Sequence, residues 1–441
     1  MKKRLTALTL ILVLLVGVLA GCGQNSDSKN SDSGNTSSEI DYGVIGSDPI
    51  QLTVYTYQYA ESEVETLEAI AGLFEDTYDN VTVDLINVQD YETAYKLAFD
   101  SDEGPDLVYV DDAMQVLLER YNYLADISDM VTYYGWDKVI SESALNYQNS
   151  RHAGQYYSVP YASNPRVMWY NKGIYDELNL SVPSTVAELE ANCEAIKAAG
   201  YIPFEASTKS LLWYIDELLF NEVSFEDLSA WYYLEGTADA MQAARVAAMQ
   251  KIDEWIDKGY FREEILSITD DDTAFVAFAG MDCAMFYGAA DMAPYFDLVE
   301  GWDIDAFTFP TTNAGDTKII VNATNGGWAV NSKIDPAKKA AAAAFINMFF
   351  TEEVNRLWVE AGYFSCLSYD ISDANVNRQT KLAAAAAQDT EIGFFMDNAV
   401  PGLLDTMITN NQRLLTGEIT GEQYAQELEA SYESLKAEHL K

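Results

Sequence analysis

The sequence predicts an α/β fold in which mostly parallel sheets are covered by helices, and three observations predict it. Short runs rich in β-branched and aromatic residues alternate with stretches whose apolar residues recur at helical spacing. A hydrophobic content of 49% and an aromatic content of 12% mark a globular chain. No internal repeat is visible across the 441 residues, which sets aside solenoids and propellers and leaves length for two domains.

The elements follow in order. Leu52-Thr53-Val54-Tyr55-Thr56 reads as a strand. Val64, Leu67, Ile70, Ala71 and Phe74 then line one face of a helix over 63–78. A strand at 81–86, a helix at 91–99, a strand at 105–110 and a helix at 114–121 repeat the pattern. Strand–helix–strand units of this length imply parallel pairing. In such sheets ligands bind beyond the carboxyl ends of the strands, which draws attention to Tyr57-Gln58-Tyr59 and to Asp111-Asp112. A second set begins after Tyr156-Tyr157-Ser158-Val159-Pro160, with a strand at 167–171. Ser184 or Thr185 is placed to cap a helix that follows Pro183. A helix at 249–258, strands at 282–287 and 319–322, an alanine-rich helix at 336–350 and a helix at 421–438 complete the chain.

The first residues read differently. Lys2, Lys3 and Arg4 precede 16 uncharged residues, 5–20. That is short of the ~20 apolar residues a membrane-spanning helix needs, and it fits a secretory leader over 1–21. Leu19-Ala20-Gly21-Cys22 resembles the bacterial lipobox, so Cys22 is the expected lipidation site. Residues 23–39 contain no apolar side chain and cannot offset their ordering entropy by burial. As a 17-residue flexible chain they would span roughly 23 Å. Residues 22–47 are therefore expected to tether a folded domain to the outer face of the cytoplasmic membrane of a Gram-positive cell.

Charge and composition narrow the chemistry. The formal net charge is −44, and loss of Lys2, Lys3 and Arg4 with the leader makes it more negative still. Such a surface repels nucleic acid and anionic head groups. The expected membrane contact is therefore the lipid anchor alone, with no nucleic-acid partner. Cys193, Cys283 and Cys366 show no C-x-x-C pairing and read as buried small hydrophobes. With only His152 and His439, histidine triads and multi-histidine metal sites are set aside. No cofactor, metal or catalytic residue is expected.

Several fragments, in this order, resemble the solute-binding proteins of carbohydrate ABC importers, the group that includes maltose-binding protein. Pro105-Asp106-Leu107-Val108 is followed by Tyr123-Leu124-Ala125-Asp126-Ile127. Gly154 to Tyr161 carries the family's G-x-x-Y-x-x-P segment, and Tyr170-Asn171-Lys172 its Y-N-K strand. Val182-Pro183-Ser184-Thr185, then Ala277-Phe278-Ala279-Gly280, then Gly326-Gly327-Trp328-Ala329-Val330 follow. The resemblance covers about residues 52–435. It implies a type II periplasmic-binding-protein-like fold: a first lobe of 48–161 plus 287–357, a second of 162–286 plus 358–441, and a hinged cleft. It further implies a monomer that binds a neutral mono- or oligosaccharide and docks on permease subunits.

Sugar rings present apolar faces and a girdle of hydroxyls, matched by flat aromatics and by carboxylates or amides. Trp213 is the leading stacking candidate, with Trp328, Trp169, Tyr57 and Tyr59 behind it. Asp111, Asp112 and Asn164 are the polar candidates. Where many family members carry a tryptophan two residues after the glycine matched by Gly288, this chain has Ala290 followed by Asp291. Tyr287 and Asp291 are expected to take over that part of the site. Trp231, Tyr232 and Tyr233 read as packing. The rival readings are a secreted glycoside hydrolase, which needs two carboxylates about the scissile bond, and a polyamine-binding protein of the same superfamily, which would use cation–π contacts.

Overall fold

A computed structural model describes residues 40–439 except 59–60, 90, 102–103, 151, 236–238, 299, 324–326 and 401. Cys22, the leader and nearly all of the expected tether lie outside these residues. So do Tyr59 and Gly326.

Two sheets organise the chain. The first contains β1 (Ile50–Thr56), β2 (Val81–Asn87), β3 (Leu107–Val110) and β4 (Ser158–Pro160). The chain then passes through Tyr161 into β5 (Ala162–Asn171), the hub of the second sheet. That sheet adds β6 (Ile202–Glu205), β7 (Cys283–Ala289), β8 (Ile304–Phe307) and β9 (Ile319–Ala323). β10 (Gly327–Val330) returns to the first sheet, whose order is β2-β1-β3-β10-β4. β11 (Phe364–Ser365) and β12 (Glu391–Gly393) finish the second, ordered β12-β9-β5-β7-β6, with β8 and β11 also paired to β5.

The expected α/β alternation is present; the pairing is more mixed than the alternation suggests. β1 pairs in parallel with β2 and β3 through the crossover helices α1 (Glu61–Thr77) and α2 (Tyr91–Asp100). β10 lies antiparallel between β3 and β4. It reaches the first sheet from the second, and so runs against the strands that the crossovers built. β5 is antiparallel to β7, β8, β9 and β11. β8 and β9 fall in the 287–357 span expected of the first lobe, and both pair in the second sheet.

Strand periodicity fixes what each sheet buries. Leu52 and Val54 of β1 are fully buried. In the same core Phe74 of α1 meets Phe345 edge to face at 5.4 Å. Phe345 belongs to the helix Lys339–Phe349, whose alanines 341–343 are fully buried and let it pack close. The second core gathers Val167, Trp169, Phe278, Phe286, Phe296 and Ile304. Thr185 caps the helix Val186–Ala198 by accepting from Glu188 N, while Ser184 donates to Glu188 Oε2 at 2.7 and 2.8 Å. Cys193, Cys283 and Cys366 are free and buried, and burial raises all three thiols. Among the described residues no helix is long and apolar enough to cross a membrane.

Candidate functional site

The carboxyl ends of β1, β2 and β3 meet at one edge of the first sheet. Asn87, ending β2, pins the loop after β1: its Oδ1 accepts from Gln58 N at 2.7 Å and its Nδ2 donates to Gln58 O at 3.0 Å. Asp111, following β3, caps α3 (Asp112–Arg120) by accepting from Met114 N at 2.8 Å. Its own backbone N–H donates to the Tyr57 hydroxyl at 2.8 Å. The Tyr57 ring lies flat on Tyr91 at 4.0 Å and edge-on to Tyr109 at 5.3 Å. Burial, then Asp111, raises the Tyr57 phenol, so it stays a neutral donor and acceptor.

The second sheet contributes through β5. Asn164 Nδ2 donates to Asp291 Oδ2 at 2.8 Å, and Asp291 N returns a bond to Asn164 Oδ1 at 3.3 Å. Tyr57, Asp111, Asn164 and Asp291, four of the residues singled out in the sequence, border one cavity of about 220 Å³ with Glu63, Trp358 and Tyr363. Tyr363 shares a hydrogen bond of 2.7 Å with Ser62 in the first turn of α1. The Gln58 amide, turned to satisfy its neighbours, donates to both Glu63 oxygens at 2.8 and 2.9 Å. Burial, and the charge of Asp291 beside it, push the Glu63 carboxyl up to about 8. Asp291 is raised by burial, against the pull of Arg166 and the Asn164 hydrogen bond. Near neutrality Glu63 is therefore mainly protonated, able to give and to accept one hydrogen bond.

Arg166 shares the face of β5 that carries Asn164, two residues on. Its Nη1 donates to Asp271 Oδ2 at 3.1 Å, and its guanidinium carbon sits 3.2 Å from the ring centroid of Trp213. Trp213 is only 3% exposed, with Phe395 at its edge, so its ring stacks on an internal cation. Among the described residues, Arg166 Nε, Trp213 Nε1, Asp271 Oδ1 and Asp397 Oδ1 are buried without a hydrogen-bond partner.

The remaining candidates pack. Trp169 is fully buried, 4.7 Å from Phe296, and donates to Ala289 O at 3.3 Å. Trp328 is fully buried between Phe349 and Tyr109. Gly327 beside it serves strand pairing, since a Cβ there would lie 2.8 Å from the Val159 carbonyl oxygen. Tyr287 is fully buried, with its hydroxyl on Glu217. Ala290 belongs to the second core, so no aromatic platform stands at that position. Asp112 opens α3, and its side chain lies outside the described residues. Trp231 stacks on Tyr432 at 4.0 Å, the packing role expected of it.

Glu63 and Arg166 were not singled out in the sequence. Glu63 stands in the first turn after β1, where the strand-end rule already pointed. Arg166 is the one charged residue of β5.

Comparisons with known proteins bear on the fold and the family. A profile of the family described as bacterial extracellular solute-binding protein matches residues 69–384. The multiple sugar-binding protein of Streptococcus mutans is 26% identical over 160 residues, 35% of this chain and 36% of that relative. A family 1 extracellular solute-binding protein from Bifidobacterium longum subsp. infantis superposes over 88% of this chain and all of its own, with a TM-score of 0.73 at 16% identity. A chitin oligosaccharide binding protein gives 0.71 at 20% identity, over 88% of this chain and all of that one. The likeness to the solved structures shows the fold, a two-lobed periplasmic-binding-protein-like architecture.

Proposed function

The chain belongs to the bacterial extracellular solute-binding proteins, a family of binding proteins and not of enzymes, and on that premise we propose that it captures a neutral carbohydrate between its lobes and delivers it to the permease of an ABC importer. The observation that carries the ligand class is the cavity where Glu63, Asp111, Asn164 and Asp291 converge beside Tyr57. Carboxyl groups stand next to an amide and an aromatic wall, the donor and acceptor mixture a ring of hydroxyls requires. Proteins of similar sequence or fold named for multiple sugars and for chitin oligosaccharides support the same class.

Strand pairing supports lobes of 48–161 with 327–357 and of 162–323 with 358–441, in place of a crossover at 287. The chain acts as a monomer, held outside the cell by a diacylglyceryl group on Cys22 through the 22–47 tether, on a Gram-positive surface. Calorimetric titration against neutral glycans and polyamines tests the reading. Micromolar or tighter binding of a glycan, recovered unchanged by mass spectrometry after prolonged incubation, supports it. Binding of spermidine with no glycan bound overturns it.

A further inference from the structure

We propose that the ligand has at least two sugar rings, and that the second lies in the cavity of about 310 Å³ bordered by Tyr91, Met114, Leu117, Tyr232, Asp397 and Leu404; this rests on the carbohydrate reading above.

Position is the first argument. Tyr91, at the second cavity, lies on Tyr57, at the first, with ring centroids 4.0 Å apart. Asp111, at the first, caps the helix whose Met114 borders the second. The two cavities are thus neighbours across one aromatic pair and one helical turn.

The walls are the second argument. Tyr91, Met114 and Leu117 belong to helices that cover the first sheet, while Tyr232, Asp397 and Leu404 accompany the second. A ring held there touches both lobes, as a ligand that favours their closure must.

Chemistry is the third. Tyrosine, methionine and leucine side chains offer surface for the C–H face of a pyranose. Asp397 is 6% exposed, and its Oδ1 has no hydrogen-bond partner among the described residues. A carboxyl group at the border offers a polar contact beside that apolar surface.

The test is calorimetric titration of the full mature chain with glucose, xylose and N-acetylglucosamine and with their oligomers of two to four rings. For the sugar series that binds, affinity is expected to rise at least tenfold from one ring to two. Leu117→Trp and Leu404→Trp fill the cavity from its two walls, at side chains that are only half-buried. Each is expected to erase that gain and leave single-ring affinity unchanged, with melting curves reporting which variants fold. A single ring bound as tightly as its oligomers, or a gain that survives in whichever variant folds, overturns the second-ring proposal. Failure of every sugar to bind, at any length, overturns the carbohydrate reading itself.

Discussion

Glu63 offers a measurement in which the sign and the size both follow from its surroundings. Its carboxyl is held at about 8, against an ordinary 4.5, by burial and by Asp291. The folded state therefore favours the protonated form. The stability this group contributes is complete below pH 4.5, falls as pH rises toward 8, and is constant beyond. Each pH unit is worth about 1.4 kcal/mol at most, a ceiling near 5 kcal/mol. Because the side chain is partly open to the cavity, screening reduces this to about 2 kcal/mol. Glu63→Gln keeps the shape and removes the titration. Between pH 5 and pH 9 the ligand-free wild type should lose about 2 kcal/mol relative to the variant, or roughly 4 °C in melting temperature. Scanning calorimetry of both proteins at the two pH values gives this difference of differences directly, with all other titrating groups cancelling to first order. Parallel pH profiles for the two proteins would refute the burial of Glu63 beside Asp291.

Further outcomes follow from the same structure. Trp213→Ala should cost about 3–5 kcal/mol of stability, because the ring is enclosed under Arg166; an unchanged melting temperature with lost sugar affinity would instead make Trp213 an open platform. Asp111→Ala removes the cap of α3 and should cost about 1 kcal/mol together with measurable sugar affinity, read by a melting curve and a titration on one sample. Cys22→Ala should move the protein from the membrane to the soluble fraction with its melting temperature intact, and retention after a high-salt wash would defeat the lipid-anchor proposal. Saturating sugar should lower the radius of gyration in small-angle scattering; an unchanged value in a chain that starts open would count against closure of the lobes.

The fold was legible because alternation along the chain is a local signal. Val64, Leu67 and Ile70 declare a helix without reference to anything distant. The polar half of the candidate site was legible as a cluster for a related reason. Tyr57 and Asp111 stand at strand ends, Asn164 directly follows the crossover, and all three reach the same cavity with Asp291. The tryptophans were not legible. A strand shows which residues share a face, but not which face meets the cleft, and Trp169 and Trp328 lie on the faces that meet helices. Trp213 sits on a helix, Leu211–Phe220, whose every side chain is buried, so no polar face marks its orientation. Glu63 stands in a first helical turn, where the helix dipole favours an acid whatever its role. Its raised carboxyl comes from burial first and then from Asp291, more than two hundred residues away.

The place of β10 also governs the order in which the molecule can be made. Within the first sheet, β3 and β4 touch only through β10. β4 ends at Pro160, and β10 begins at Gly327. At about 5–20 residues per second, synthesis of the intervening chain takes on the order of ten seconds. Until then β3 has one open edge and β4 has no partner in the sheet, the kind of edge that recruits other chains. The second sheet is further along by then, because β5 to β9 all precede Gly327 and only β11 and β12 remain to be added. A fragment ending before Gly327 would present two open edges and self-associate in place of forming a small independent lobe.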